Sequence, residues 1–169
     1  MKTKQICVNA VLAAMCAVLG SISLDFGNLK ISFEGLPVMI GALLLGPIDG
    51  LLIGGIGTLL YQILRYGVEI TTLLWVLPYA LCGLILGAYA KKRSFELSNK
   101  QIAFIVSLGC VLIFVINTAS LYVYSLVYQL NSLVFVLGPL PMRIVVCIIT
   151  ALGYSAIMPG LLKAAKRVI

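Results

Sequence analysis

Apolar residues in this chain fall into long runs separated by short polar breaks. A helix needs about 20 mostly apolar residues to cross a membrane, and the first run, Ile6 to Leu24, meets that length. Lys2 and Lys4 precede it as in a secretory signal, but a run this long reads more simply as an anchor that stays in place. A polar loop with Asp25, Asn28, Lys30 and Glu34 follows. The second run, Leu36 to Leu45, is short and ends at Gly46-Pro47, after which Asp49-Gly50 opens a third run to Leu64. Gly-Pro and Asp-Gly favour turns, and one continuous helix would hold a proline and an aspartate in its interior. The stretch therefore divides into a short helix, a tight turn and a full helix.

Arg65 to Glu69 forms the next break, and a fourth helix is expected over Thr71 to Ala90, ending at Lys91, Lys92 and Arg93. A polar connection reaches Lys100, and a fifth helix covers Ile102 to Leu126. Beyond Tyr128, Gln129 and Asn131 the chain is apolar but irregular as far as Gly138-Pro139-Leu140-Pro141, where a sixth helix, Met142 to Ala165, begins. The pattern predicts an all-α integral membrane protein: one domain over residues 1–169, built as a bundle of six transmembrane helices.

Composition supports lipid as the solvent. Hydrophobic residues make up 62% of the chain and charged residues 10%, against roughly half and a quarter in soluble domains. The net charge of +7 could suggest nucleic acid, but the basic residues sit in short clusters between apolar runs. Membrane orientation explains them better. With six spans, nine of the 12 Lys and Arg residues fall at the chain ends and in the second and fourth connections. The positive-inside rule then places both termini in the cytoplasm of a multi-pass cell-membrane protein.

Little in the chain suggests catalysis. Histidine is absent, the five cysteines have no metal-ligand spacing, and no carboxylates pair at helical spacing. The glycines of the third helix (Gly50, Gly54, Gly55, Gly57) lack the Lys-Ser/Thr ending of a phosphate-binding loop and suggest close helix packing. Neither a metal nor a cofactor is expected. Uphill transport would draw its energy from an ion gradient or a partner.

Four features could carry function. Ala10, Ala13, Ala14 and Ala17 form two overlapping Ala-x-x-x-Ala pairs on the first helix, suited either to internal packing or to docking a separate subunit. Arg143, at the start of a span, either serves a ligand or snorkels to the interface. Glu34, Glu69, Lys30 and Arg65 are placed where they could line a pocket mouth or remain solvated loop charges. Trp75, Tyr122, Tyr124 and Tyr128 fit an interfacial belt or a pocket for a planar heterocycle, and Asn117 in mid-span needs a partner from a helix or a ligand.

Ile31-Ser32-Phe33-Glu34-Gly35-Leu36-Pro37-Val38, followed by Gly46-Pro47, a glycine-rich helix and the Ala-x-x-x-Ala pairs, resembles the substrate-binding S components of energy-coupling factor (ECF) vitamin transporters. The folate-type branch is closest, through the first of these segments and through Pro141-Met142-Arg143-Ile144. The chain departs from that branch at Gly57-Thr58, at Val68 to Thr72, and at Glu34, where a neutral residue is usual. The resemblance implies a high-affinity vitamin-capturing subunit. It would dock through Ala10, Ala13, Ala14 and Ala17 onto a transmembrane coupling subunit served by two cytoplasmic ATPases, which would use the ATP, and would topple in the membrane to release its substrate inside. Arg143, Trp75, Asn117, Glu34, Phe33, Tyr122 and Glu69 are the expected substrate contacts, with folate the first candidate and pantothenate or riboflavin others. A self-sufficient small carrier or channel, and a ligand-free structural subunit, are the competing readings.

Overall fold

The computed structural model describes residues 3–26 and 29–167, and leaves the side chains of residues 24–31, 132 and 133 undescribed. Lys2 and Asn28 lie outside the described residues, as do the side chains of Asp25 and Lys30. The elements run α1 (Thr3–Ser21), β1 (Leu24–Phe26), β2 (Leu29–Ile31), α2 (Gly35–Leu45), α3 (Pro47–Tyr66), α4 (Thr72–Lys92), α5 (Asn99–Val127), α6 (Ser132–Leu137) and α7 (Leu140–Lys166). Five stretches are long and apolar enough to cross a membrane: α1, α3, α4, α5 and Val134–Lys166, which contains α7. The shorter α2 is also apolar.

Two elements go beyond the sequence pattern. The polar loop after α1 folds into an antiparallel hairpin with Leu24 opposite Ile31 and Phe26 opposite Leu29. The irregular stretch after α5 holds the short helix α6. Helix ends follow local chemistry. Ser98 caps α5 in a capping box, accepting from the Gln101 amide while the Gln101 side chain accepts from the Ser98 amide. Gly46 turns the chain between α2 and α3 at φ 115°, where a side chain would be strained. Pro47 follows at the first position of α3, which needs no amide hydrogen.

The bundle has a closed end. Lys166 Nζ donates to the Phe95 carbonyl at 3.2 Å, Phe95 lies over Gly46, and Gln5 Nε2 donates to Asp49 at 2.7 Å. These contacts bring the start of α1, the α2–α3 turn, the α4–α5 connection and the end of α7 together. Lys4, Lys91, Lys92, Arg93, Lys100, Lys163, Lys166 and Arg167 belong to these segments, whereas Arg65 and Arg143 lie near the opposite helix ends.

Packing is tightest among the first four helices. At the crossing of α3 and α4 the backbones touch: a Cβ on Gly83 would lie 2.1 Å from the Gly50 carbonyl oxygen. Gly57 serves α1 in the same way, facing Cys16 and the Ala13 carbonyl. The glycine-rich third helix is thus a packing device, as its sequence suggested. The larger apolar core joins α2, α4, α5 and the C-terminal half of α7 through Met39, Leu86, Val106, Met158 and Leu162.

Candidate functional site

The half of the bundle away from this core is built differently. In α5 no residue between Cys110 and Ser120 is buried, and in α7 none before Tyr154 is. Burial of α5 and α7 is thus concentrated towards the closed end of the bundle. Two side chains in this half have no hydrogen bond or ion pair with any described residue: the half-buried Arg143 and Asn117. Cys147 Sγ reaches the Cys110 carbonyl at 3.8 Å, and Ser107 and Ser155 share a hydrogen bond of 2.9 Å, which fixes the antiparallel register of α5 and α7. Carried away from the closed end, that register sets Asn117 level with Arg143 to within about one turn along the helix axes.

An aromatic cluster borders this region. Trp75 on α4 lies 5.9 Å from Tyr124 on α5, and Tyr124 lies 4.5 Å from Tyr128 and is stacked on Phe135 of α6 at 6.1 Å. Ser120 Oγ donates to the Leu74 carbonyl at 2.8 Å and locks α5 to α4 beside the cluster. Glu69, in the exposed α3–α4 loop, accepts from Thr71 Oγ1 at 3.4 Å, and its amide donates to Thr72 Oγ1 at 2.9 Å. Tyr122 is different: its ring is exposed and enters no ring pair among the described residues. Positions 122 and 124 are about 200° apart around a helix, so they face different surroundings.

The start of α2 is polar. The 11 residues of α2 rise about 16 Å, at about 1.5 Å per residue, roughly half of an apolar layer about 30 Å thick. The segment before α2 packs against α7. Tyr154, far along α7, donates its hydroxyl to the Ser32 carbonyl at 2.8 Å and lays its ring against Gly35. Glu34, only 2% exposed, starts α2, where the positive end of the helix favours a carboxylate. Ser32 Oγ donates to Glu34 Oε2 and accepts from the Glu34 amide, both at 3.2 Å. Cys16 Sγ donates to the Glu34 carbonyl at 3.3 Å. Phe33, next in line, is exposed. Ser32, Tyr154 and Cys16 escaped sequence reasoning because each is an isolated polar residue joined to its partners only by folding.

Tyr154→Phe tests this tie. It leaves a buried carbonyl without its donor, a loss of about 1–3 kcal/mol. A melting temperature lower by several degrees is expected, and an unchanged one would mean that the contact contributes nothing.

The alanine motif divides. Ala13 and Ala17 are buried, whereas Ala10 and Ala14 are exposed. A groove of about 360 Å³ runs between α1 and α3, lined by Ile6, Asn9, Ala10, Ala13, Ala14 and residues of α3.

Five stretches long and apolar enough to cross a membrane, with Arg143 and Asn117 left without partners among the described residues, define a multi-pass membrane protein. Residues 4–165 match the family described as "ECF transporter, substrate-specific component". The chain belongs to that family. Among solved structures it is similar to one titled "Crystal structure of FolT bound with folic acid", with a TM-score of 0.69 and 21% identity, over 92% of this chain and 91% of that one. This likeness extends the family's fold to nearly the whole chain. No curated protein matches the sequence.

Proposed function

We propose that the protein is the vitamin-capturing subunit of an ATP-driven ECF importer, set in the cell membrane with six spans and both termini cytoplasmic. The observation that supports the reading is a half-buried cation and amide, Arg143 and Asn117, without partners among the described residues in a member of this family, on helices that also carry part of an aromatic cluster. Arg143 takes an anionic or carbonyl group of the vitamin, Asn117 hydrogen-bonds to it, and Trp75 with Tyr124 stacks on its ring. Glu34 and Phe33 form the floor and Glu69 the rim, while Tyr122 is the least supported contact because its ring faces away from the cluster. Folate is the first candidate, since the similar FolT holds folic acid according to its title, and folate combines a planar ring system with carboxylates.

The basic residues at the closed end support a cytoplasmic placement of that end, with α2 completing the sixth crossing together with the loop that dips to meet it. ATP is used by two cytoplasmic ATPases, reached through a transmembrane coupling subunit that docks on the open part of the alanine face at Ala10 and Ala14. Ala13 forms the groove floor, and Ala17 packs inside.

The test is to purify the protein from its native membrane and identify released small molecules by mass spectrometry. Thermal-shift titration with folate, pantothenate and riboflavin follows. A vitamin that co-purifies and stabilises the protein is the expected result. No bound molecule and no shift with any vitamin would favour a ligand-free structural subunit.

A further inference from the structure

Asn9 lies in the floor of the α1–α3 groove and is only 8% exposed. Its Nδ2 donates to Asp49 Oδ1, which fixes the amide so that Oδ1 points away from the carboxylate. That Oδ1 has no hydrogen-bond partner. Asp49 itself, 5% exposed in the first turn of α3, accepts from Gln5 and Asn9 and forms no ion pair among the described residues. The remaining lining of the groove is apolar: Ile6, Ala10, Ala13 and Ala14 from α1, and Leu52, Ile56 and Leu60 from α3. The groove thus combines a surface shaped for a close helix with one acceptor held in place by a buried carboxylate.

A buried amide oxygen without a donor is unfavourable in water and more so beside lipid. Asn9 stands six residues into α1, so about 9 Å from the start of the helix. This is a depth that the long side chain of a lysine or arginine reaches while its stem lies along apolar surface. Asp49 behind the amide favours a cation there and disfavours an acid. The oxygen is almost fully covered in the free chain and Asn9 lines the groove, so the groove is the route by which a donor approaches it.

We infer that the inner end of the α1–α3 groove receives a lysine or arginine side chain from a helix of the transporter's coupling subunit, with Asn9 Oδ1 as acceptor and Asp49 supplying the opposing charge. The inference rests on the docking reading of the Ala10–Ala14 face and names the chemistry that the docking helix carries. It makes Asn9 and Asp49 determinants of partner choice rather than of vitamin recognition.

The test uses the full chain co-expressed with its coupling subunit and two ATPases, with assembly affinity measured on the purified complex. Ala14→Trp, which fills the groove, should abolish assembly. Asn9→Leu and the isosteric Asp49→Asn should each weaken it at least tenfold while the free chain elutes as a folded monomer. An alanine scan of basic residues on the coupling helices should find one whose effect is not additive with Asn9→Leu. That non-additivity separates a direct contact from a packing defect. If Ala14→Trp blocks assembly but Asn9→Leu or Asp49→Asn assembles like the wild type, the inference is overturned and the docking reading stands. So it is if every basic residue is additive with Asn9→Leu. If Ala14→Trp assembles normally, the docking reading fails and takes the inference with it. Self-association through the groove, lost in Ala14→Trp, would replace both with a dimer of this chain.

Discussion

Arg143→Ala is expected to weaken vitamin binding about a hundredfold. Arg143 is half-buried in α7 and pairs with nothing among the described residues, so the fold already carries part of the cost of desolvating a cation. An anionic ligand group would relieve that cost and gain a charge-assisted, two-pronged hydrogen bond. Truncating one member of such a pair costs about 2–5 kcal/mol, and a hundredfold is about 2.8 kcal/mol. Arg143→Lys keeps the charge but loses the fork, and should recover only part of the affinity. Trp75 is the chain's single tryptophan and lies in the aromatic cluster, so its fluorescence provides the titration signal. The ligand-free protein should melt no lower in Arg143→Ala than in the wild type, because an uncompensated charge has been removed. Equal affinity in the two proteins would instead place the guanidinium at the outer interface, snorkelling to water.

The helices were readable in the sequence because hydropathy and turn dipeptides act locally. Gly46-Pro47 separates α2 from α3 in the structure as in the pattern, and Asp49 falls in the first turn of a helix, where its charge is tolerated. The hairpin was not readable, since strands of three residues are too short to show a period. Nor was α6: Asn131 stands at its N-cap, but six residues within an apolar run are too few to show a helical period. The alanine motif shows why spacing alone is insufficient. Ala10–Ala14 and Ala13–Ala17 have the same spacing, and only the approach of Gly57 to Ala13 and Cys16 reveals which pair is spent inside the bundle. The candidate ligand site was half readable. Arg143, Asn117 and Trp75 stood out as costly or bulky residues within apolar runs. Tyr122 and Tyr124 could not be told apart without the rotation of α5, and the tie from Tyr154 to Ser32 spans 122 residues.

The division of labour between tight and loose halves of the bundle follows from these residues. Small residues let α1, α3 and α4 approach to backbone contact, giving a tightly packed slab that carries the α1–α3 groove on its surface. The α5–α7 pair, with its large exposed side chains and few buried ones, carries Asn117 and Arg143. α2 connects the halves: its start holds Glu34 and Ser32 against Tyr154, and its body packs on α4. Ligand bound against this floor would touch both halves, and is expected to stiffen the looser one.

Gly83→Ala should be the most damaging of small substitutions in this slab. The added Cβ would sit 2.1 Å from the Gly50 oxygen, and the reciprocal Cβ on Gly50 would sit 2.6 Å from the Gly83 oxygen. Both obstacles are backbone, so no side-chain rotation relieves them. α3 and α4 would have to separate by about 1 Å, forfeiting dispersion contacts along their whole crossing and any Cα–H···O contacts between the glycines. Overpacking typically costs about 1–3 kcal/mol, and a backbone-to-backbone clash belongs at or above the upper end. The expected result is a melting temperature lower by 10 °C or more, with most of the protein lost to aggregates on size exclusion; the shift follows from about 2–4 °C per kcal/mol at this size. Gly153→Ala is the matched control. A Cβ there meets nothing within 4 Å, and alanine favours a helix over glycine by about 1 kcal/mol, so that variant should melt at or above the wild-type temperature. Equal stability of Gly83→Ala and Gly153→Ala would mean that α3 and α4 do not cross at backbone contact.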